Sequence, residues 1–167
     1  MPIKAFAGAV INTGNTEATL RIYGAGELES KLNKLIKRLG MTERIEIPGR
    51  TQDLPAAYAE SDCFVLSSRF EGQPNALMEA MFAGLPCIST DCPCGPSDFV
   101  EDKKNGLLVP SDDLDAMREA IEYMMTHPEE ASGMGREAKE YMTENYNAEA
   151  IARRFVEECA ALKNRVI

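Results

Sequence analysis

Over the first two thirds of this chain, short apolar runs alternate with amphipathic helical segments, and that alternation restricts the fold more than any other feature. The runs lie at 19–23 (TLRIY), 44–47 (RIEI), 63–67 (CFVLS), 86–89 (PCIS) and 106–109 (GLLV), each short and rich in branched or aromatic residues. Between them, 27–39 sets Leu28, Leu32, Leu35, Ile36 and Leu39 on one helical stripe, and Gly40 follows as a stop. Segment 53–61 reads as a short helix, and 74–83 as another, carrying Leu77, Met78, Met81 and Phe82 before Gly84. Strands separated by helices at this spacing predict an α/β fold, a doubly wound parallel sheet of Rossmann-like form with helices on both faces. From about 112 to 167 the strands cease. Segments 112–125, 128–144 and 147–166 predict three consecutive helices, a helical tail on a single domain spanning 1–167.

Composition removes several classes of function. The net charge is −9, whereas a nucleic-acid binder needs a basic face for phosphates. A small phosphorylated ligand stays open, because a helix N-terminus holds phosphate without side-chain cations. No apolar stretch approaches the ~18–20 residues that cross a bilayer, and the run at 5–11, broken by Gly8, is too short for a signal peptide. Five cysteines, an odd number set mostly in apolar runs, predict reduced thiols and a cytoplasmic protein. Cys92 and Cys94 form C-P-C, too few ligands for a metal, so no metal site is expected. The single histidine, His127, falls between two predicted helices and reads as a helix-end residue, and Tyr141 and Tyr146 read as packing.

Chemistry concentrates in 67–84, SSRFEGQPNALMEAMFAG. A strand ends, a tight loop (69–73) follows, and a helix opens near Pro74. Ligands of doubly wound sheets bind beyond the carboxyl ends of the strands, where helix N-termini point free N–H groups. Gly72 permits close backbone approach, and the amides of Asn75, Ala76 and Leu77 would be unpaired. With the helix dipole, they suit a diphosphate. Glu71 and Glu79 frame this position. Glu79 sits roughly 7–8 Å along the helix, where it can accept hydrogen bonds from the vicinal hydroxyls of a ribose. Glu71, on the other side, could meet sugar hydroxyls or stabilise positive charge at an anomeric carbon. A solvated helix glutamate and a loop glutamate serving the dipole are the plainer alternatives.

The stretch EGQPNALMEAMFAGLPCIST resembles the E-x7-E segment of GT-B retaining glycosyltransferases, especially glycosyltransferase family 4. LRIYGAGELESKL, RIEIPGRTQDLPAAYAESDCFVLSSRFEG and CPCGPSDFVEDKKNGLLVPSDDLDAM are similar to the flanking units of that family, so the likeness runs from about 3 to 157. It implies that Glu71 lies by the donor sugar as the catalytic-site glutamate and that Glu79 holds the ribose. It further implies that Gly72, Gln73, Pro74, Asn75, Ala76 and Leu77 form the phosphate- and sugar-facing turn, and that Arg50 borders the base. A solvated loop arginine is the other reading of Arg50, and Gly24 and Gly26 need only ease a tight turn. The implied donor is a nucleotide-sugar, in first place a UDP-sugar, with no cofactor and no metal. The implied acceptor is a glycan or lipid, as in polysaccharide biosynthesis, and the parent enzyme has room to work at a cytoplasmic membrane surface.

One departure from the family pattern matters. Members open this domain with a strand and a loop whose arginine and lysine clamp the diphosphate, whereas this chain begins inside the following helix, with Lys4 on that helix. The N-terminal acceptor domain of that family is expected to be absent as well. The expectations are therefore a donor-binding domain inactive alone or, as the alternative, a non-catalytic nucleotide-sugar-binding or interaction module, with a GT-B epimerase ranked below both. A sheet lacking its central strand should recover in one of three ways: its neighbours close up, 6–11 becomes a strand, or chains self-associate. Phe155 and Leu162 of the tail should be partly exposed.

Overall fold

The computed structural model describes residues 1–93 and 95–163. The chain runs α1 (Pro2–Thr13), β1 (Leu20–Tyr23), α2 (Glu29–Arg38), β2 (Ile45–Gly49), α3 (Leu54–Ala59), β3 (Phe64–Leu66), α4 (Asn75–Ala83) and β4 (Cys87–Asp91). It continues with α5 (Pro96–Phe99), β5 (Leu107–Pro110), α6 (Leu114–Thr126), α7 (Pro128–Asn145) and α8 (Ala148–Lys163). All five expected strands form within two residues of their expected bounds, and every strand pair is parallel. The single turn of α5 was not anticipated, since four residues leave no periodicity to read.

The N-terminal segment is a helix, and the expected recruitment of 6–11 as a strand does not occur. Pro2 starts α1 where a missing N–H costs nothing, and Gly14, at φ 67°, ends it by donating its N–H to the Val10 carbonyl. Ile3, Phe6, Ala7 and Val10 form a buried stripe that packs with Met117, Ala120, Ile121 and Met124 of α6. The two helices approach so closely at Gly8 that a Cβ there would sit 2.9 Å from the Arg118 side chain.

The expected closing-up of neighbouring strands does not occur either. The ladder is in two pieces, β1–β2 and β3–β4–β5. Between β1 and β3 lies a cavity of about 770 Å³, flanked by Leu20 and Ile22 on one side and Val65 on the other, with Phe6, Ile88 and Ile121 beneath. Its persistence has a mechanical cause. The helix leading into β1 is locked to α6, and α6 packs on β4 and β5, so β1 cannot slide towards β3 without breaking that contact. Leu20 N–H donates to Arg44, Gly24 N–H to Gly49 and Phe64 N–H to Pro86. Because successive peptide groups of a strand point to opposite sides, the backbones of Arg21, Tyr23 and Val65 face the cavity.

Two cores result. One joins α1 and α6 with Ile36, Ile45, Ile88, Leu107 and Val109. The other joins α4 (Leu77, Ala80, Met81), Cys87 and α7 (Ala138, Met142) on the opposite face. Helix α7 can reach α4 only because residue 135 is glycine: a Cβ would stand 2.2 Å from the Gly84 carbonyl oxygen. The tail is helical as expected. Phe155 is 70% and Leu162 58% exposed on α8, which is tied to the rest of the fold by buried Ala150 and by Arg154, which donates to the Asn145 carbonyl at 2.7 Å and lies over the Tyr146 ring. Val166, expected to end that helix, lies outside the described residues.

Candidate functional site

The candidate site is assembled at the carboxyl ends of β3 and β4. Strand β3 stops at Leu66, the chain turns through 67–74, and α4 begins at Asn75 with Pro74 as its N-cap. Proline has no side-chain oxygen to bond the first helical amides, so this helix start is uncapped. Asn75 N–H donates to the Gln73 carbonyl at 2.9 Å and Met78 N–H to the Pro74 carbonyl at 3.0 Å. That leaves the N–H groups of Ala76 and Leu77 without partners among the described residues. The open amides are thus two, where three were expected, because the turn at Gln73 folds back on Asn75. The Leu77 side chain is fully buried and anchors the helix start.

The preceding loop is held from β4. Thr90, fully buried, donates its hydroxyl to the Ser68 carbonyl at 2.6 Å, and the Ser68 hydroxyl donates to Glu71 Oε1 at 2.5 Å. Glu71 is therefore half-buried and fixed in direction. Beside it, burial first and the Glu71 carboxylate second hold the Cys92 thiol above its ordinary pKa, so Cys92 is a neutral wall. Gly95 closes the same wall, at φ 138° and so near Pro74 that a Cβ would lie 2.7 Å from its Cδ. Gly72 meets open space, and Gln73 is exposed, its amide 3.8 Å from the Met78 sulfur.

Glu79 stands on the outer face of α4. The Tyr58 hydroxyl, from α3, donates to its Oε2 at 3.1 Å and also lies 3.3 Å from the Ala76 carbonyl oxygen. Burial, then the hydrogen bond to Glu79 and its charge, push the Tyr58 pKa up to about 12, so the phenol keeps its proton. Glu79 Oε1 has no partner among the described residues and faces solvent. Arg69 pairs with Asp112 at 2.8 Å on the rim, both well exposed, a contact that contributes little.

Arg50 is placed differently. It follows β2, exposed and without an ion-pair or hydrogen-bond partner among the described residues, in the half of the sheet beyond the cavity. Glu71, Gly72, Gln73, Pro74, Asn75, Ala76, Leu77 and Glu79 are brought together by one loop and one helix, and Arg50 is not among them. Sequence reasoning missed Tyr58, Ser68 and Thr90. The spacing of Ser68 three residues before Glu71 offered a signal; Tyr58 offered none, since its partner lies 21 positions away. His127 ends α6, caps α7 and stacks on Tyr123 at 4.4 Å, and Tyr146 packs on Phe99 and Tyr141. Among the described residues, no three His, Cys, Asp or Glu side chains gather as a metal cluster, and no helix is long and apolar enough to cross a membrane.

Residues 1–127 match the family described as Glycosyl transferases group 1. The chain is 30% identical over 135 residues to the poly(ribitol-phosphate) α-N-acetylglucosaminyltransferase of Staphylococcus aureus, covering 81% of this chain and 27% of that protein. Among solved structures it superimposes on a S. aureus TarM variant in complex with UDP, fondaparinux and α-GlcNAc-glycerol, with a TM-score of 0.85 and 27% identity. That match covers 93% of this chain and 31% of the other. The pneumococcal O-GlcNAc transferase GtfA, in complex with UDP and GlcNAc, gives a TM-score of 0.79 at 26% identity, with 93% of this chain and 31% of that one covered. The chain therefore spans about a third or less of the length of these relatives.

Proposed function

Given that this chain belongs to the group 1 glycosyl transferases and has their GT-B, Rossmann-like fold, we propose that it is a donor-binding domain that seats a UDP-sugar at the start of α4. The observation that carries this reading is the uncapped helix start, with two open amides at Ala76 and Leu77, set between two glutamates whose free edges face solvent. The diphosphate takes the amides and the positive end of the helix dipole. Glu79 accepts from the ribose hydroxyls, and Glu71, aimed by Ser68, accepts from the donor sugar. Arg50 lies towards the base.

In the transfer, the bond from the anomeric carbon to the β-phosphate oxygen breaks and its electron pair leaves with UDP. An acceptor hydroxyl oxygen then bonds the anomeric carbon on the same face, with retention, and its proton passes to the leaving phosphate or to solvent. Charge grows on the departing diphosphate, where the Ala76 and Leu77 amides and the α4 dipole stabilise it without a metal. Glycan or lipid acceptors would engage surfaces beyond this domain, so the isolated chain binds donor and does not transfer. Titration calorimetry with UDP, UDP-N-acetylglucosamine and GDP tests the reading. Saturable UDP binding that falls roughly 10- to 100-fold in Glu79→Ala is expected, the loss of about 1.5–3 kcal/mol from charge-assisted hydrogen bonds. Absence of binding at millimolar UDP would overturn it.

The TarM complex with UDP and GtfA with UDP and GlcNAc support a UDP donor by analogy. A non-catalytic nucleotide-binding module remains the second reading, favoured by the open cavity beside β3, and it makes the same binding prediction with no transfer in any context.

A further inference from the structure

We infer that Tyr58 is a positioning residue for Glu79, fixing its carboxylate for recognition of the ribose hydroxyls; this rests on the proposed role of Glu79. Three observations and one chemical argument carry it. The Tyr58 hydroxyl lies 3.1 Å from Glu79 Oε2, across a gap of 21 residues in sequence, so the contact is made by the packing of α3 on α4. The donor itself is held in place: its ring meets Phe64 edge-on at 6.1 Å, and α3 is started by Asp53, whose carboxylate accepts from the Ala56 N–H at 3.0 Å. Of the two carboxylate oxygens it meets only Oε2, which leaves Oε1 and the remaining lone pairs of Oε2 to a pair of vicinal hydroxyls. Finally, a phenol is a neutral donor. A lysine or arginine there would neutralise the carboxylate that the ribose must meet, whereas tyrosine orients it and leaves its charge in place.

An exposed glutamate on a helix samples several rotamers, and a ligand must select one at an entropic cost. Tyr58 makes that selection before the ligand arrives. Its contribution should therefore appear only with ligands that use Glu79, and a nucleotide without ribose hydroxyls should be indifferent to it.

The test compares UDP with 2′,3′-dideoxyuridine diphosphate by calorimetry on the wild-type chain, Tyr58→Phe and Glu79→Ala. Phenylalanine keeps the ring against Phe64, and thermal melts check that each variant folds. The wild type should prefer UDP, and Glu79→Ala should erase the preference. Tyr58→Phe should weaken UDP about 3- to 10-fold, the range of one net hydrogen bond, and leave the dideoxy nucleotide unchanged. Equal weakening of both nucleotides by Tyr58→Phe would mean a structural role, and no weakening of either would mean none; each overturns the inference while sparing the Glu79 reading. A preference that survives Glu79→Ala, or a wild type that shows no preference or binds neither nucleotide, overturns the ribose reading and this inference with it.

Discussion

The two halves of the sheet are built to different standards. In β3–β4–β5, Cys87, Ile88, Ser89 and Thr90 are all buried, with α6 on one face and α4 and α7 on the other. In β1–β2, Ile45 alone among the strand residues is buried, and β1 turns an unpaired edge to the cavity. The glutamates, the open amides and the serine–threonine brace all stand on the first half. Arg50 and the Gly24 turn stand on the second. The loop and helix start that carry the two glutamates thus stand on the half with the buried central strand, and Arg50 stands on the more exposed half.

This contrast can be broken by experiment. Met81→Ala, which empties a fully buried site beneath α4, is expected to cost about 2–5 kcal/mol in urea melts. Ile47→Ala, at a half-buried site in β2, should cost less than about 2 kcal/mol; equal losses would show that the halves do not differ. Gly135→Ala drives a methyl into the Gly84 carbonyl and should cost about 1–3 kcal/mol, read by the same melts.

Hydrogen exchange sharpens the comparison without mutation. The amides of Arg21, Tyr23 and Val65, which face the cavity, should exchange on the order of tenfold or more faster than those of Ile88 and Thr90 in β4. Comparable protection would mean that the cavity is closed in solution. The smallest effect is alkaline. Tyr58 titrates near 10 when unfolded and at about 12 when folded, so the stability it contributes is complete below pH 10 and is lost as the pH rises from 10 to 12. Tyr58→Phe should flatten that part of the pH dependence of the thermal midpoint, and an unchanged curve would refute the link.

Much of this arrangement is legible in the sequence, and unevenly. The helix of α4 could be read because Leu77 and Met81 repeat at helical spacing and Gly84 ends it. Its start could be read because a loop with Gly72 and Pro74 precedes it. The count of open amides could not, since the Asn75–Gln73 bond depends on how the turn closes. The strands were legible as short branched runs, yet their division into two ladders was not. Pairing depends on where α1 and α6 hold β1, a contact between residues more than a hundred positions apart.

The sequence by itself determined the order of strands and helices, the parallel α/β class, the placement of Glu71 and Glu79 about a helix start, and the family. Those follow from local periodicity, turn chemistry and motif, all written within short windows of chain. Only the tertiary structure decided that the sheet stays open between β1 and β3, that Arg50 stands apart from the glutamates, and that Tyr58 and Ser68 aim the two carboxylates. Each of these depends on distances between segments remote in sequence, set by close packing such as that at Gly135, where one added methyl group would meet the Gly84 backbone.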